Sequence, residues 1–131
     1  MLLDTHVWIW WLTQGSPLKS VERDALDATA ESGGVYLAAI SLWEAQLLHS
    51  KRRLQLPLPF SDWLTRATES RVLTVLPLDR EVVIAVDSLP ARFHGDPADR
   101  LIVATARTHA IPLATHDRAI RRSRTAKLWS P

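Results

Sequence analysis

A chain of 131 residues, 47% of them hydrophobic, is long enough to bury one core and too apolar to be disordered throughout. It has no cysteine, which excludes disulfides and thiolate metal sites, and no run of about 18 apolar residues that could cross a membrane. The net charge is only +2, yet Lys51, Arg52 and Arg53 form one basic knot and Arg118, Arg121, Arg122, Arg124 and Lys127 another. Alone such runs are solvated surface; beside an acidic site they would suit a polyanionic substrate by screening phosphate repulsion. The opening MLLDTHVWIWW lacks a positive segment, and Asp4 interrupts its apolar stretch, so no signal peptide is expected. The expectation is one soluble, cytoplasmic domain over residues 1–131, with no membrane partner.

In chain order, Leu2–His6 reads as a short strand and Val7–Leu12 as an apolar turn or short helix, ended by Gly15-Ser16-Pro17. Ser20–Ser32 has helical periodicity and stops at Gly33-Gly34. Val35–Ile40 is wholly apolar, the pattern of a strand buried on both faces, and a helix is expected from Ser41. Pro57 and Pro59 mark a loop before a helix around Phe60–Ser70. Val72–Leu78 reads as another buried strand, followed by a helix from about Asp79 to Ser88. Pro97–Ala110 has little polar surface in its middle, as a central helix would. Ile111–His116 is a short strand, DRAIRRS a short helix and KLWS a possible edge strand. Alternating strands and helices predict an α/β fold: a mostly parallel sheet of four to five strands, covered on both faces. Ligands in such folds bind beyond the carboxyl ends of the strands, where strand order reverses.

That rule makes four acids informative. Asp4 lies at or near the end of the first strand, Glu44 one helical turn after the second, Asp99 in the first turn of the apolar helix, and Asp117 directly after PLATH. Each has a plainer explanation. Ser41-Leu42-Trp43-Glu44 is an S-x-x-E capping box, Asp117 could cap the helix after it, and Asp4 could cap the turn that follows. In Asp96-Pro97-Ala98-Asp99 the N-cap would be Asp96, with Pro at the first helical position and Asp99 at the third. Gathered together, however, the acids repel: two carboxylates about 4 Å apart cost about 4 kcal/mol at an effective dielectric of about 20. Helix N-termini offset only about 0.3–1 kcal/mol each. A divalent cation offsets far more, and oxygen donors without cysteine favour Mg²⁺ or Mn²⁺ over zinc. No H-x-x-x-H pair exists, so His6, His49, His94, His109 and His116 read as surface or hydrogen-bonding histidines.

LLDTHVWIWW, AAISLWEAQLL, HGDPADRLIVATA and PLATHD, in this order, resemble the signature of PIN-domain proteins, and most of all the VapC-type ribonuclease toxins of prokaryotic toxin–antitoxin pairs. The resemblance runs from Leu2 to about Ile120. It implies a three-layer α/β/α sandwich and an acidic cluster that binds Mg²⁺ or Mn²⁺ and hydrolyses RNA phosphodiester bonds. By motif the quartet is Asp4, Glu44, Asp99 and Asp117. Asp4 and Asp99 would be the closest ligands, while Glu44 and Asp117 hold a second ion or ligand waters. Ser41 and Thr115 would supply orienting hydroxyls, and Asp96 is the rival for the third acid. It also implies a homodimer and a small antitoxin that places a basic side chain near the cluster. Trp8, Trp10 and Trp11 are candidates for the interface, with at least one of them in the core. A haloacid-dehalogenase-like phosphatase would need D-x-D where His6 stands, and a receiver domain would need a lysine near His116-Asp117. A PIN fold that binds RNA without cutting it is the non-enzyme alternative.

Overall fold

The computed structural model describes residues 1–93 and 95–131; the reading of His94 lies outside the described residues. Among them, four short strands pair in parallel: β1 (Leu2–Leu3), β2 (Tyr36–Ala38), β3 (Thr74–Leu76) and β4 (Leu113–Ala114). Their order across the sheet is β3-β2-β1-β4. Leu2 lies beside Tyr36 and Leu113, and Leu3 beside Leu37 and Ala114. The expected KLWS edge is a single parallel bridge from Leu128 to Leu113, with Trp129 N donating to Leu113 O at 2.9 Å.

Strand side chains alternate between faces, and each face builds its own core. Leu3, Leu37 and Ala114 join Trp8, Leu26 and Trp63 from α1 (Thr5–Trp11), α2 (Ser20–Glu31) and α4 (Phe60–Ala67). Leu2, Ala38 and Leu113 join Ile102, Val103 and Ile120 from α6 (Pro97–Thr108) and α7 (Arg118–Ser123). Helix α5 (Arg80–Asp87) packs on α6, and α3 (Ile40–Ser50) places Ala45 in the first core and Ile40 against the second. The result is the expected three-layer arrangement.

Three details differ from the sequence reading. First, β1 ends at Leu3, because Asp4 is already the N-cap of α1, with Trp8 N donating to Asp4 O at 3.0 Å. Second, Val72–Leu78 is not a buried strand: β3 is an edge strand whose Thr74 is exposed and whose Val75 and Leu76 are half-buried. Third, two of the three candidate interface tryptophans, Trp8 and Trp11, lie in the core. Trp8 is fully buried against Trp63, with ring centroids 5.2 Å apart, and the buried Trp11 donates from Nε1 to Asp27 Oδ1 at 2.8 Å.

The chain runs from β1 outward to β2 and β3, then returns to β4 on the other side of β1. Strand order therefore reverses between β1 and β4, and their carboxyl ends lead straight into Asp4 and into Thr115–Asp117.

Candidate active site

Asp4 is 5% exposed. A buried carboxylate needs hydrogen-bond donors, and the junction supplies two: Thr5 N donates to Oδ1 at 2.8 Å and Thr115 Oγ1 to Oδ2 at 2.7 Å. Capping the helix and joining the site are therefore not alternatives here. Two donors leave the carboxylate with free lone pairs.

Glu44 is not part of a capping box. Helix α3 begins at Ile40, the preceding Ala39 is already in helical conformation, and no side chain caps the helix. Ser41 lies fully buried within the first turn. Glu44 Oε1 instead accepts from Thr5 Oγ1 at 2.5 Å, and the same hydroxyl lies 2.8 Å from Ser41 Oγ. Thr5 carries one hydroxyl proton; donating it to Glu44 leaves Thr5 to accept from Ser41. Thr5 was not singled out in the sequence. Its only signal there is a hydroxyl residue directly after Asp4.

Asp96 caps α6, its Oδ1 accepting from Asp99 N at 2.7 Å, and Pro97 follows at the first helical position. Asp99, one turn further in, is half-buried. Asp117 caps α7 through Ile120 N at 2.8 Å, and its own amide donates to Thr115 Oγ1 at 3.0 Å. Thr115 thus holds Asp4 and Asp117 together.

All four acids of the quartet, with Asp96, line one cavity of about 340 Å³, which His6, Trp10 and His116 share. Among the described histidines, His6 and His109 are exposed, His116 hydrogen-bonds Glu22 at 2.7 Å, and the exposed His49 stacks on Phe60 with ring centroids 4.8 Å apart. Of the basic residues, Arg118 and Arg121 flank the neighbouring cavity, whereas Lys51, Arg52 and Arg53 are solvent-exposed beyond α3.

Crowding shows in the acidities. Burial, then the carboxylates of Asp96, Asp4, Asp117 and Glu44, push the Asp99 carboxyl up to about 7. Burial likewise raises Glu44, with Asp4 and Asp96 adding to the effect. Burial raises Asp4 despite its two donors and the nearby His6. The acids ring the cavity; among the described residues no three acidic or histidine groups stand as a finished metal shell. The donor set nonetheless fits a hard divalent cation, since it is all oxygen and the mutual repulsion is what a cation would relieve.

The model of the PIN domain family matches residues 1–125. The chain is 38% identical over 125 residues to Ribonuclease VapC22 of Mycobacterium tuberculosis, a match covering 95% of this chain and 92% of that protein. The crystal structure of VapBC2 from Rickettsia felis bound to a promoter DNA fragment contains a similar chain, with a TM-score of 0.71. That match covers 98% of this chain and 96% of that one at 15% identity, a likeness of fold alone. A chain of FitAcB from Neisseria gonorrhoeae matches with a TM-score of 0.61 and 26% identity, covering 98% of this chain and 96% of that one. With the parallel sheet and the acids at its carboxyl edge already placed, these matches make the chain a member of the PIN-domain family.

Proposed function

We propose that this protein is a divalent-metal-dependent endoribonuclease, acting as the toxin of a toxin–antitoxin pair. The observation that carries the reading is the convergence of Asp4, Glu44, Asp99 and Asp117 on one cavity at the carboxyl edge of the sheet. The relative named a ribonuclease, 38% identical over nearly the whole chain, supports it. Asp4 and Asp99 would be the closest ligands of Mg²⁺ or Mn²⁺, and Glu44 and Asp117 would hold a second ion or ligand waters.

A divalent cation held there by these carboxylates would supply Lewis acidity for phosphodiester hydrolysis. The protein's own groups prepare that chemistry. Thr5 N and Thr115 Oγ1 hold the Asp4 carboxylate in one orientation, and Thr5 Oγ1 holds Glu44 by one oxygen, Oε1. Asp99 sheds its proton near neutrality, so it becomes an anionic ligand or a proton acceptor at working pH. Asp117, fixed as a cap, presents its carboxylate at the end of β4.

RNA is the substrate class, and the partners are a small antitoxin and a second copy of the chain. The antitoxin's basic side chain would enter the acid cavity in place of the cation's charge. No helix among the described residues is long and apolar enough to cross a membrane, and the proposed place of action is the cytoplasm. Generic RNA incubated with Mg²⁺, with Mn²⁺ and with excess chelator tests the activity. Cleavage that survives the chelator, or a fully active Asp4→Asn protein, would overturn the mechanism.

A further inference from the structure

Three rings share the acid cavity with the carboxylates. His6 and Trp10 stand one turn apart on α1, their centroids 5.7 Å apart and tilted by 52°. Trp10 meets His116 at 5.5 Å, edge-on at 81°. Neither contact is parallel, so no ring in the group is covered face to face by another. Both histidines are exposed and Trp10 is half-buried, whereas Trp8 and Trp11 of the same helix lie in the core. The indole of Trp10, packed on one side against the first core, therefore also forms part of the cavity wall.

His116 also lines a second cavity of about 320 Å³, with Lys19, Glu22, Arg118 and Arg121. Glu22 is engaged by Lys19 N at 2.9 Å and His116 Nε2 at 2.7 Å. Lys19, Arg118 and Arg121 are exposed and form no salt bridge among the described residues. Three cations face one carboxylate, so the notch is positive. Acid cavity, aromatic wall and basic notch adjoin one another, joined at His116.

We infer that this is a track for single-stranded RNA: a base flanking the scissile phosphate stacks on Trp10 between His6 and His116, and an adjacent backbone phosphate enters the Lys19–Arg118–Arg121 notch. The inference rests on the nuclease reading and deepens it. A strand that brings one phosphate to the acids must carry its neighbours past repelling carboxylates, and a basic notch beside the acids offsets that. An aromatic wall between the two accepts any base by its π-face, which is sequence-tolerant. Bases in a duplex are stacked within the helix and cannot offer that face. Trp10 is thus a substrate-positioning residue for RNA.

Binding of a fluorescein-labelled single-stranded RNA oligomer tests this by anisotropy. The Asp4→Asn protein in excess chelator serves as parent, which removes cleavage and one repelling charge. Adding Trp10→Ala should weaken binding about tenfold, and Trp10→Phe should restore most of it. A series of oligomers, each lacking one base, should show a position where the parent loses about as much affinity, while the Trp10→Ala protein loses none there. Arg118→Ala combined with Arg121→Ala, which strips the notch of both guanidinium groups, should lower the slope of log affinity against log salt by about 0.7. Parent-like binding by Trp10→Ala, equal affinity for duplex RNA, no binding by the parent, or no base-sensitive position would each overturn the track. If Trp10→Ala does not fold, the base-deletion series on the parent decides alone. A wild type that cleaves RNA but has no base-sensitive position keeps the nuclease reading and loses the track. A wild type that never cleaves, whose parent variant shows that position, keeps the track and loses the nuclease reading.

Discussion

Thr115 Oγ1 donates to Asp4 Oδ2 at 2.7 Å, a bond between residues 111 positions apart, while the same hydroxyl accepts from Asp117 N at 3.0 Å. One side chain thereby locks the carboxyl ends of β1 and β4 together where strand order reverses. Outer partners of this kind orient the carboxylates that meet an ion.

Thr115→Val keeps the shape and deletes both bonds. It should weaken Mn²⁺ binding about 10–100-fold. It should also lower stability by about 1–3 kcal/mol, because a buried carboxylate loses a donor. Thermal shift titrated with Mn²⁺ reads both effects. An unchanged midpoint would show that Asp4 needs no such support.

Asp4→Asn and Asp99→Asn should each remove cleavage. Wild type should gain about 2.7 kcal/mol of stability at a metal concentration one hundred times Kd, and both variants little or none. Without metal, Asp99→Asn should melt above wild type, since it relieves repulsion from four neighbouring carboxylates. Asp4→Asn should gain less, because its amide cannot accept from Thr5 N and Thr115 Oγ1 with both atoms. Calorimetric melts with and without Mn²⁺ check this; a wild type indifferent to millimolar Mn²⁺ would make the acids caps only.

Stability without metal should fall as pH rises from about 4 towards 7 and then level off. Asp99 at about 7, with Asp4 and Glu44 also raised, keeps protons in the folded state that the unfolded chain has already lost. Their protonated forms therefore favour folding below the folded pKa, and that contribution is lost as pH climbs through it. Glu22 is lowered and acts oppositely, but its contribution is lost only as pH falls below the ordinary carboxylate range. Urea melts in chelator at pH 5 and pH 8 test this: greater stability at pH 8, or no flattening in Asp99→Asn, contradicts it. Metal affinity should run the other way, rising with pH up to about 7 as Asp99 ionises.

Asp96 and Asp99 should separate cleanly. Asp96→Ala removes the cap on Asp99 N, at a cost of about 1 kcal/mol, and leaves metal-dependent cleavage measurable. It should also ease the ionisation of Asp99, since Asp96 is the strongest of the charges acting on it. Asp99→Ala should abolish cleavage with stability little changed or raised. An inactive Asp96→Ala beside an active Asp99→Ala would move the third ligand by one helical turn.

Element order, the starts of α6 and α7 and the placing of Asp4, Glu44 and Asp117 after strands followed from the sequence by itself, because periodicity and caps are local properties. Asp96-Pro97 announced α6, and Asp117 announced α7, with no knowledge of the fold. Tertiary structure decided what local chemistry leaves open. Ser41 and Glu44 spell a capping box in any chain; only the pairing of β1 with β2 brings Thr5 to Glu44 and turns the acid into the cavity. VLTVLPL is as apolar as a central strand, but strand order makes β3 an edge. Trp8, Trp10 and Trp11 differ in role because helical phase sends two into the core and one to the cavity wall, where it meets a histidine from the far end of the chain. Such outcomes depend on which distant segments become neighbours, and burial and charge at a site follow from that adjacency.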